Sequence, residues 1–287
     1  MPTLEVVPDR FPHASDRASF RRPAALPGVE LYRARILRHA FDPHAHDGYG
    51  LGMVEAGAQR FHYRGQDHEA PADALVLMQP GELHTGAPAC PQGWTYRMLY
   101  VDEAVLQAHL GEAAPAWHFR EAVRRDARRA QRFGQALGAL WEATDAGDIG
   151  LQDDLLARCL DLLQPLAEAR GPTPGLVADF RPLLARLRDD LAHAWRLPEM
   201  ATLAGMSPCH FQRSFSAHHQ VSPHQWLMAQ RLAEAKRLLA RGQAPAEAAA
   251  AVGLTDQAHL TRRFAAMYGI TPARYQREIG VRPTPRG

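Results

Sequence analysis

The chain has 287 residues, 46% hydrophobic and 22% charged with a net charge of +2, long enough for two domains with cores of their own. No run approaches the ~18 apolar residues of a membrane span. Met1-Pro2-Thr3-Leu4 lacks a basic-then-apolar signal pattern, so no membrane partner and a cytoplasmic location are expected. Cys90, Cys159 and Cys209 are odd in number and lack any Cys-x-x-Cys pair, so neither a disulfide framework nor a thiolate zinc site is expected.

Residues 25–119 have the punctuation of a small β-barrel. The apolar runs 51–54, 59–63, 74–78 and 96–101 alternate with turns at Gly57, Gly65, Pro71, Pro80-Gly81 and residues 91–93. That spacing predicts an antiparallel double-sheet roll. Alternation places His44 and His46 on one face of a strand, and a barrel can bring His84 near them. His62 and His68 read as surface residues.

Residues 121–170 predict two helices broken at Ala146-Gly147-Asp148. The first carries Arg124, Arg125, Arg128 and Arg129, read as a solvated face. The second has Leu151, Leu155, Cys159, Leu162 and Leu166 in an apolar stripe widened by Leu156, Leu160 and Leu163. Part of that stripe is expected on the barrel, the remainder at a dimer contact. Gly171-Pro172-Thr173-Pro174-Gly175 interrupts regular structure and marks a linker.

From Leu176 to Gly287 the chain carries 15 Arg plus Lys against 8 Asp plus Glu, a balance of +7, whereas the rest carries 18 against 23, a balance of −5. A basic C-terminal half favours phosphate contact and counter-ion release. The preference for Arg is weak support by itself: Lys236 is the only lysine in the chain, a pattern read as codon bias.

Residues 198–276 contain one unit twice. Leu203-Ala204-Gly205-Met206-Ser207 leads into Pro208, Phe211, Arg213 and Phe215; Ala251-Val252-Gly253-Leu254-Thr255 leads into Leu260, Arg262 and Phe264. Each copy predicts a short helix, a turn at a Gly with positive φ, and a second helix capped by Ser207 or Thr255. Phe211 with Phe215, and Leu260 with Phe264, are four apart and make apolar stripes. The opposite faces leave Ser207, Cys209, Gln212 and Arg213, and Gln257, His259 and Arg262, as candidate DNA-contacting residues. A helix over 226–239, closed by Gly242, connects the copies. Arg213 and Arg262 lie 49 positions apart. A rod of that kind can hold two reading helices about 34 Å, one DNA turn, apart. An ion pair is the competing role for both arginines, and a phosphate contact the competing role for Gln212 and Gln257.

At Gly205-Met206-Ser207-Pro208, Phe211-Gln212-Arg213-Ser214-Phe215, Ser222-Pro223, Trp226, Arg231-Leu232, Ala235 and Leu238-Leu239, the chain resembles the AraC/XylS family of bacterial transcription regulators. Ala250, Val252-Gly253, Asp256-Gln257, Leu260, Arg262, Phe264, Tyr268-Gly269, Thr271-Pro272 and Tyr275 continue the match. His44-Ala45-His46-Asp47-Gly48-Tyr49 and Asp73 to Met78 with Pro80-Gly81-Glu82-Leu83-His84 resemble, through shorter motifs, the cupin-like sensor domain common in that family. The resemblance implies an α+β multidomain fold: an N-terminal β-barrel of the cupin-like double-sheet roll type, then helices, then an all-α double helix-turn-helix domain. The expected division is 1–119 effector-sensing domain, 120–170 helical dimerisation region, 171–176 linker, 177–280 DNA-binding domain and 281–287 tail.

The chain departs from the family pattern in places. Gln220 stands where the family usually has Gly, so a residue poorly suited to positive φ must make that turn. Ala246 and Ala249 replace branched residues, which predicts a weaker second motif, and Ala258 and His259 leave base readout by that helix open.

The implied function is a DNA-binding transcription regulator with promoter DNA, a small-molecule effector, a second copy of itself and RNA polymerase as partners. His44, His46, Tyr49 and His84 are the candidate effector residues. Three imidazoles would suffice for a zinc, nickel or iron site. Metal-binding cupins, however, add a Glu where this chain has Asp47, Tyr49 and Gly50, so no cofactor is expected and His44, His46 and His84 remain the alternative metal ligands. Two other readings stay open: a barrel that only oligomerises a constitutive DNA binder, and a metal-dependent cupin enzyme with a DNA-binding tail. No nucleophile, base and orienting group can be assembled from the spacing, so no catalysis is expected.

Overall fold

A computed structural model describes residues 15–111, 116–169 and 179–282, and the predicted linker lies outside them. The sheet-forming part runs β1 (Arg17–Arg21), β2 (Val29–Ile36), β3 (Phe41–His44), β4 (Tyr49–Tyr63), β5 (Gln66–Pro71), β6 (Ala74–Met78), β7 (His84–Pro88) and β8 (Trp94–Val101). After α1 (Glu103–Leu110) come β9 (Trp117–His118) and β10 (Val123–Arg125). Helices α2 (Ala127–Ala146) and α3 (Ile149–Leu163) lead through one turn of 3-10 helix to β11 (Glu168–Ala169), which pairs with β9. The last part is helical: α4 (Arg181–Asp189), α5 (Leu197–Leu203), α6 (Pro208–His219), α7 (Pro223–Ala240), α8 (Pro245–Ala251), α9 (Gln257–Tyr268) and α10 (Pro272–Glu278).

The runs 51–54 and 59–63, expected as two strands, are one strand, β4. It holds the roll together by pairing with β8, β6, β5 and β7, all antiparallel. A 15-residue strand is long enough to serve one sheet with its first half and the other with its second. Order across the main path is β1-β2-β8-β4-β6-β10, and β3 pairs with β7 off that path.

Alternation along these strands divides two cores. On β8, Trp94, Tyr96 and Met98 face the interior of the roll, whereas Leu99 and Val101 face outward onto α2 and α3. On β6, Val76 and Met78 point in and Leu75 and Leu77 point out. All five β6 residues are therefore buried, which explains why its sequence is an unbroken apolar run.

Arg124 and Arg125 belong to β10, which pairs with β6, and not to the first helix; Asp126 caps that helix by accepting from the Arg129 N–H. The break at Gly147 is as expected, with φ +71°. Leu155, Leu156, Cys159, Leu160, Leu162 and Leu163 are buried in the shared core, so the barrel and α2 take most of the α3 stripe. Ile149 and Leu151 stay exposed at 61% and 44%.

In the helical part, Gly205 and Gly253 adopt φ +67° and +69°, as the duplicated pattern requires. At Gly253 a Cβ would also lie 2.5 Å from the Ala192 carbonyl oxygen, so that turn needs Gly twice over. The first motif packs Phe211, Phe215, Trp226 and Leu227 with Phe180 and Leu187 of the α4 region. The second motif has no such private core. Ala248, Val252, Leu260, Phe264 and Tyr275 join one cluster with Phe20, Tyr32 and Tyr96 of the barrel. On α8 itself Ala249 is buried and Ala246 half-buried, and the helix packs on α7 and α9.

Candidate DNA-reading helices and ligand chamber

Ser207 caps α6 by accepting from the His210 N–H, with Pro208 in the first turn where its missing N–H loses nothing. In the second motif the cap is Asp256 and not Thr255: its carboxylate accepts from the His259 N–H at 2.7 Å. The helix therefore starts one position later than Thr255 would set it, and the negative charge of Asp256 at its N-terminus is favoured by the helix dipole. Gln220 ends α6 at φ +60°, the left-handed turn the family assigns to Gly. At the other end of α7, Arg241 is the last capping residue and Gly242 follows at φ +91°, closing the helix as expected.

Ser207, Cys209, Gln212 and Arg213 on the α6 side, and Gln257 and Arg262 on α9, are all exposed, and His259 is half-buried. His210 and Arg263 share those faces, are exposed too, and were not singled out from the sequence. Among the described residues Arg213 and Arg262 make no ion pair. Burial, then Arg263 and Arg262, hold the His259 imidazole below its ordinary range, which keeps it neutral on a basic face.

The barrel interior forms a small chamber lined by His44, His46, His84, Tyr96, Met98 and Tyr100. His44 on β3 is the direct cross-strand partner of His84 on β7, and their rings lie 4.3 Å apart. His46 lies just beyond the end of β3 and not within it, yet its ring is 5.1 Å from His84 and 4.2 Å from Tyr100. One potential ligand nitrogen from each of the three histidines falls within 4.8 Å of the others. Burial, then neighbouring His84, hold His44 and His46 well below the usual imidazole range, and burial pushes His84 down to about 4. All three are neutral at physiological pH.

Tyr49 is placed elsewhere. Its side chain is in the outer core, where the hydroxyl donates to the Trp117 carbonyl at 2.9 Å. A strand position of opposite parity sends it to the helix side of the sheet. His62 and His68 are half-buried at the roll's surface; His62 pairs with Asp67 and His68 stacks on Phe61.

The chamber has a wall that strand patterning could not foresee. Lys236 from α7 and Met267 and Tyr268 from α9 close its mouth, so the second helix-turn-helix completes the pocket of the barrel. The Lys236 ammonium pairs with Glu30 and sits among the rings of Phe20, Tyr268, Tyr275 and Tyr100, 4.7 to 5.5 Å from their centroids. Around it the two halves share polar contacts. The Tyr275 hydroxyl donates to Glu30 at 2.7 Å, the Phe20 N–H to Glu278 at 2.7 Å, Arg274 to the Ala18 carbonyl at 2.9 Å and the His39 ring to the Ala266 carbonyl at 2.9 Å. The lone lysine in an arginine-rich chain was the one signal for this contact. A second crevice of about 100 Å³ adjoins it between Arg22, Glu30 and His46 on one side and Lys236 and Arg237 on the other.

No helix among the described residues is long and apolar enough to cross a membrane. Residues 26–160 match the family model described as AraC-like ligand binding domain, and residues 200–278 the one described as helix-turn-helix domain. The chain is similar to the helix-turn-helix-type transcriptional regulator YbfI of Bacillus subtilis, 22% identical over 81% of this chain and 86% of that protein. It is 32% identical to the probable transcriptional regulator LumQ of Photobacterium leiognathi over 27% of this chain and 32% of that one. Its fold is similar to ToxT of Vibrio cholerae solved with bound unsaturated fatty acid, at TM-score 0.52 and 10% identity over 97% of this chain and 100% of that one. Two matched models in this order, over a roll followed by paired helix-turn-helix units, place the chain in the AraC family of DNA-binding transcriptional regulators, with a ligand-binding domain at its N-terminal end.

Proposed function

We propose that this regulator is controlled by a small effector bound at the chamber formed by His44, His46 and His84, and that occupancy changes how α6 and α9 are presented to promoter DNA. The carrying observation is that Lys236, Met267 and Tyr268 of the helix-turn-helix half form part of the chamber wall. An occupant that fits one arrangement of that wall better than another shifts the balance between them. The chamber has about 30 Å³ of free volume, room for roughly two waters. Any larger organic effector, of which the fatty acid of ToxT is one class, must displace α7 and α9 or use the adjoining crevice.

Ser207, Cys209, Gln212, Arg213, Gln257, His259 and Arg262 are the proposed DNA contacts, supported by their shared exposed faces. Ile149 and Leu151 supply the apolar remainder of α3 for a homodimer, and RNA polymerase is the partner a promoter-bound regulator meets. The protein acts in the cytoplasm and as a regulator, not an enzyme. The test is a titration against DNA upstream of its own and neighbouring genes at fixed salt, with excess unrelated DNA and with or without small metabolites. Retention on one fragment, shifted by a bound metabolite, is the expected result; a ligand that binds the chain yet leaves DNA affinity and transcription unchanged defeats the effector mechanism.

A further inference from the structure

The three chamber histidines are arranged in a way that a pocket for an organic molecule does not require. His44 Nδ1 lies 2.7 Å from the Asp42 carbonyl oxygen and His84 Nδ1 lies 3.2 Å from the Glu82 carbonyl oxygen. A carbonyl only accepts, so both Nδ1 atoms carry the proton and both Nε2 atoms present lone pairs. Backbone carbonyls at the outer nitrogen are how metal-ligating imidazoles are held and oriented. Because His44 and His84 are cross-strand partners, the sheet fixes their pairing, while the Glu82 carbonyl and His46 come from the turns beside it.

The surroundings select the kind of occupant. No carboxylate and no thiol line the chamber, so its donors for a metal ion are the three imidazoles, with only the neutral Gln59 amide, the Thr85 hydroxyl, tyrosine rings and methionine thioethers beside them. Calcium and magnesium need oxygen ligands and are disfavoured, whereas zinc, cobalt, nickel and iron(II) suit neutral imidazole. About 30 Å³ accommodates one ion and a water or two without displacing α7 or α9. Three protein ligands leave a coordination position open.

Lys236 shares this space. Its ammonium is 5.5 Å from the Tyr100 ring centroid, and the His46 ring is 4.2 Å from the same ring on the chamber side. A divalent charge on the histidines places a second cation beside the Lys236 ammonium, which Glu30 alone pairs among the carboxylates, in a largely buried setting that screens poorly. We propose that His44, His46 and His84 bind one divalent transition-metal ion of zinc-like preference, and that the ion works against docking of Lys236 and so loosens the second helix-turn-helix from the barrel mouth. The second half of this proposal rests on the regulator reading above; the first does not.

The experiment uses the untagged full chain, stripped with a chelator and titrated with cobalt(II) chloride and then zinc chloride. Metal per chain is measured by mass spectrometry and the ligand field by visible absorption of the cobalt form. One ion per chain with a nitrogen-ligated cobalt spectrum is expected. His84→Gln and His46→Gln should each weaken binding about tenfold or more, while His224→Gln, at an exposed position outside the chamber, leaves it unchanged. Thermal unfolding of each variant separates lost binding from lost folding, because only a folded chain enters the comparison. Failure to take up metal, or equal uptake by both chamber variants, overturns the site. DNA affinity of stripped and loaded protein then reads the coupling, with a change of about fivefold or more expected in the parent and none in His84→Gln. Equal DNA affinity with and without bound ion overturns the antagonism. Absence of DNA binding by stripped, loaded and Lys236→Met protein alike would overturn the regulator reading, and metal stoichiometry would still decide the site.

Discussion

Lys236 on α7 forms an ion pair with Glu30 on β2, across 206 positions of chain, and this pair is the charged centre of the contact between the barrel and the second helix-turn-helix. Both side chains are nearly out of solvent, at 15% and 10% exposure. Glu30→Gln leaves a buried ammonium with no counter-charge, facing only an amide oxygen and aromatic rings. We expect it to lower unfolding stability by about 3 kcal/mol, and to raise hydrogen exchange in β1 and α10. Denaturant titration with exchange mass spectrometry checks both; unchanged exchange in those elements would show that the pair does not hold the halves together.

Gln220 carries φ +60° at the end of α6. An L-residue there costs about 1 kcal/mol relative to Gly. Its side chain returns only an exposed hydrogen bond to the Ala217 carbonyl. Gln220→Gly is expected to stabilise the chain by roughly 0.5 to 1 kcal/mol in a denaturant titration, with DNA affinity unaltered.

His219 packs on Phe215 and Phe180, and burial first, then His218 and Arg188, push its imidazole down to about 4. The unfolded chain takes up that proton near pH 6.5. Stability from this residue is therefore fully present above about pH 6.5 and is lost as pH falls towards about 4. The shifts at His44 and His46 have the same sign, so the acid limb of wild type is shared. His219→Gln should lose less stability than the parent between those pH values; parallel acid limbs would remove His219 from the account.

Arg213 and Arg262 are exposed on α6 and α9. Replacing either by Ala is expected to weaken binding to the cognate fragment by about 1 to 3 kcal/mol. A loss confined to the cognate sequence marks a base contact, whereas an equal loss on unrelated DNA with a shallower salt dependence marks a phosphate contact. Unchanged affinity in competition assays would take the residue out of the interface.

Ile149 and Leu151 are apolar side chains left exposed on a helix otherwise committed to the barrel. A double change of both to Asp is expected to shift sedimentation towards monomer while the unfolding midpoint stays close to wild type, since neither residue packs in the core. A dimer that survives it uses another surface.

Local chemistry was legible wherever it acts within a few residues. Gly205 and Gly253 announce their turns, Ser207 its cap, and the four-residue spacing of Phe211 with Phe215 the buried stripe, because each depends on helix geometry alone. Thr255 misled because Asp256 beside it offers a carboxylate that caps the helix one residue later, a competition between neighbours that spacing cannot rank. Tyr49 misled for a related reason. Its closeness to His46 in the chain says nothing about which face of β4 it takes once the strand begins after the loop.

The sequence by itself determined that this is a β-roll followed by two helix-turn-helix units with basic reading faces, since turn chemistry, periodicity and charge are properties of short segments. Only the tertiary structure decided that His44 and His84 are cross-strand partners and that His46 joins them from beyond the strand end. It alone decided that Lys236 and Tyr268 shut the chamber. Those relationships depend on strand register and on the packing of segments some 200 positions apart, such as Glu30 and Lys236, and local sequence carries no record of either.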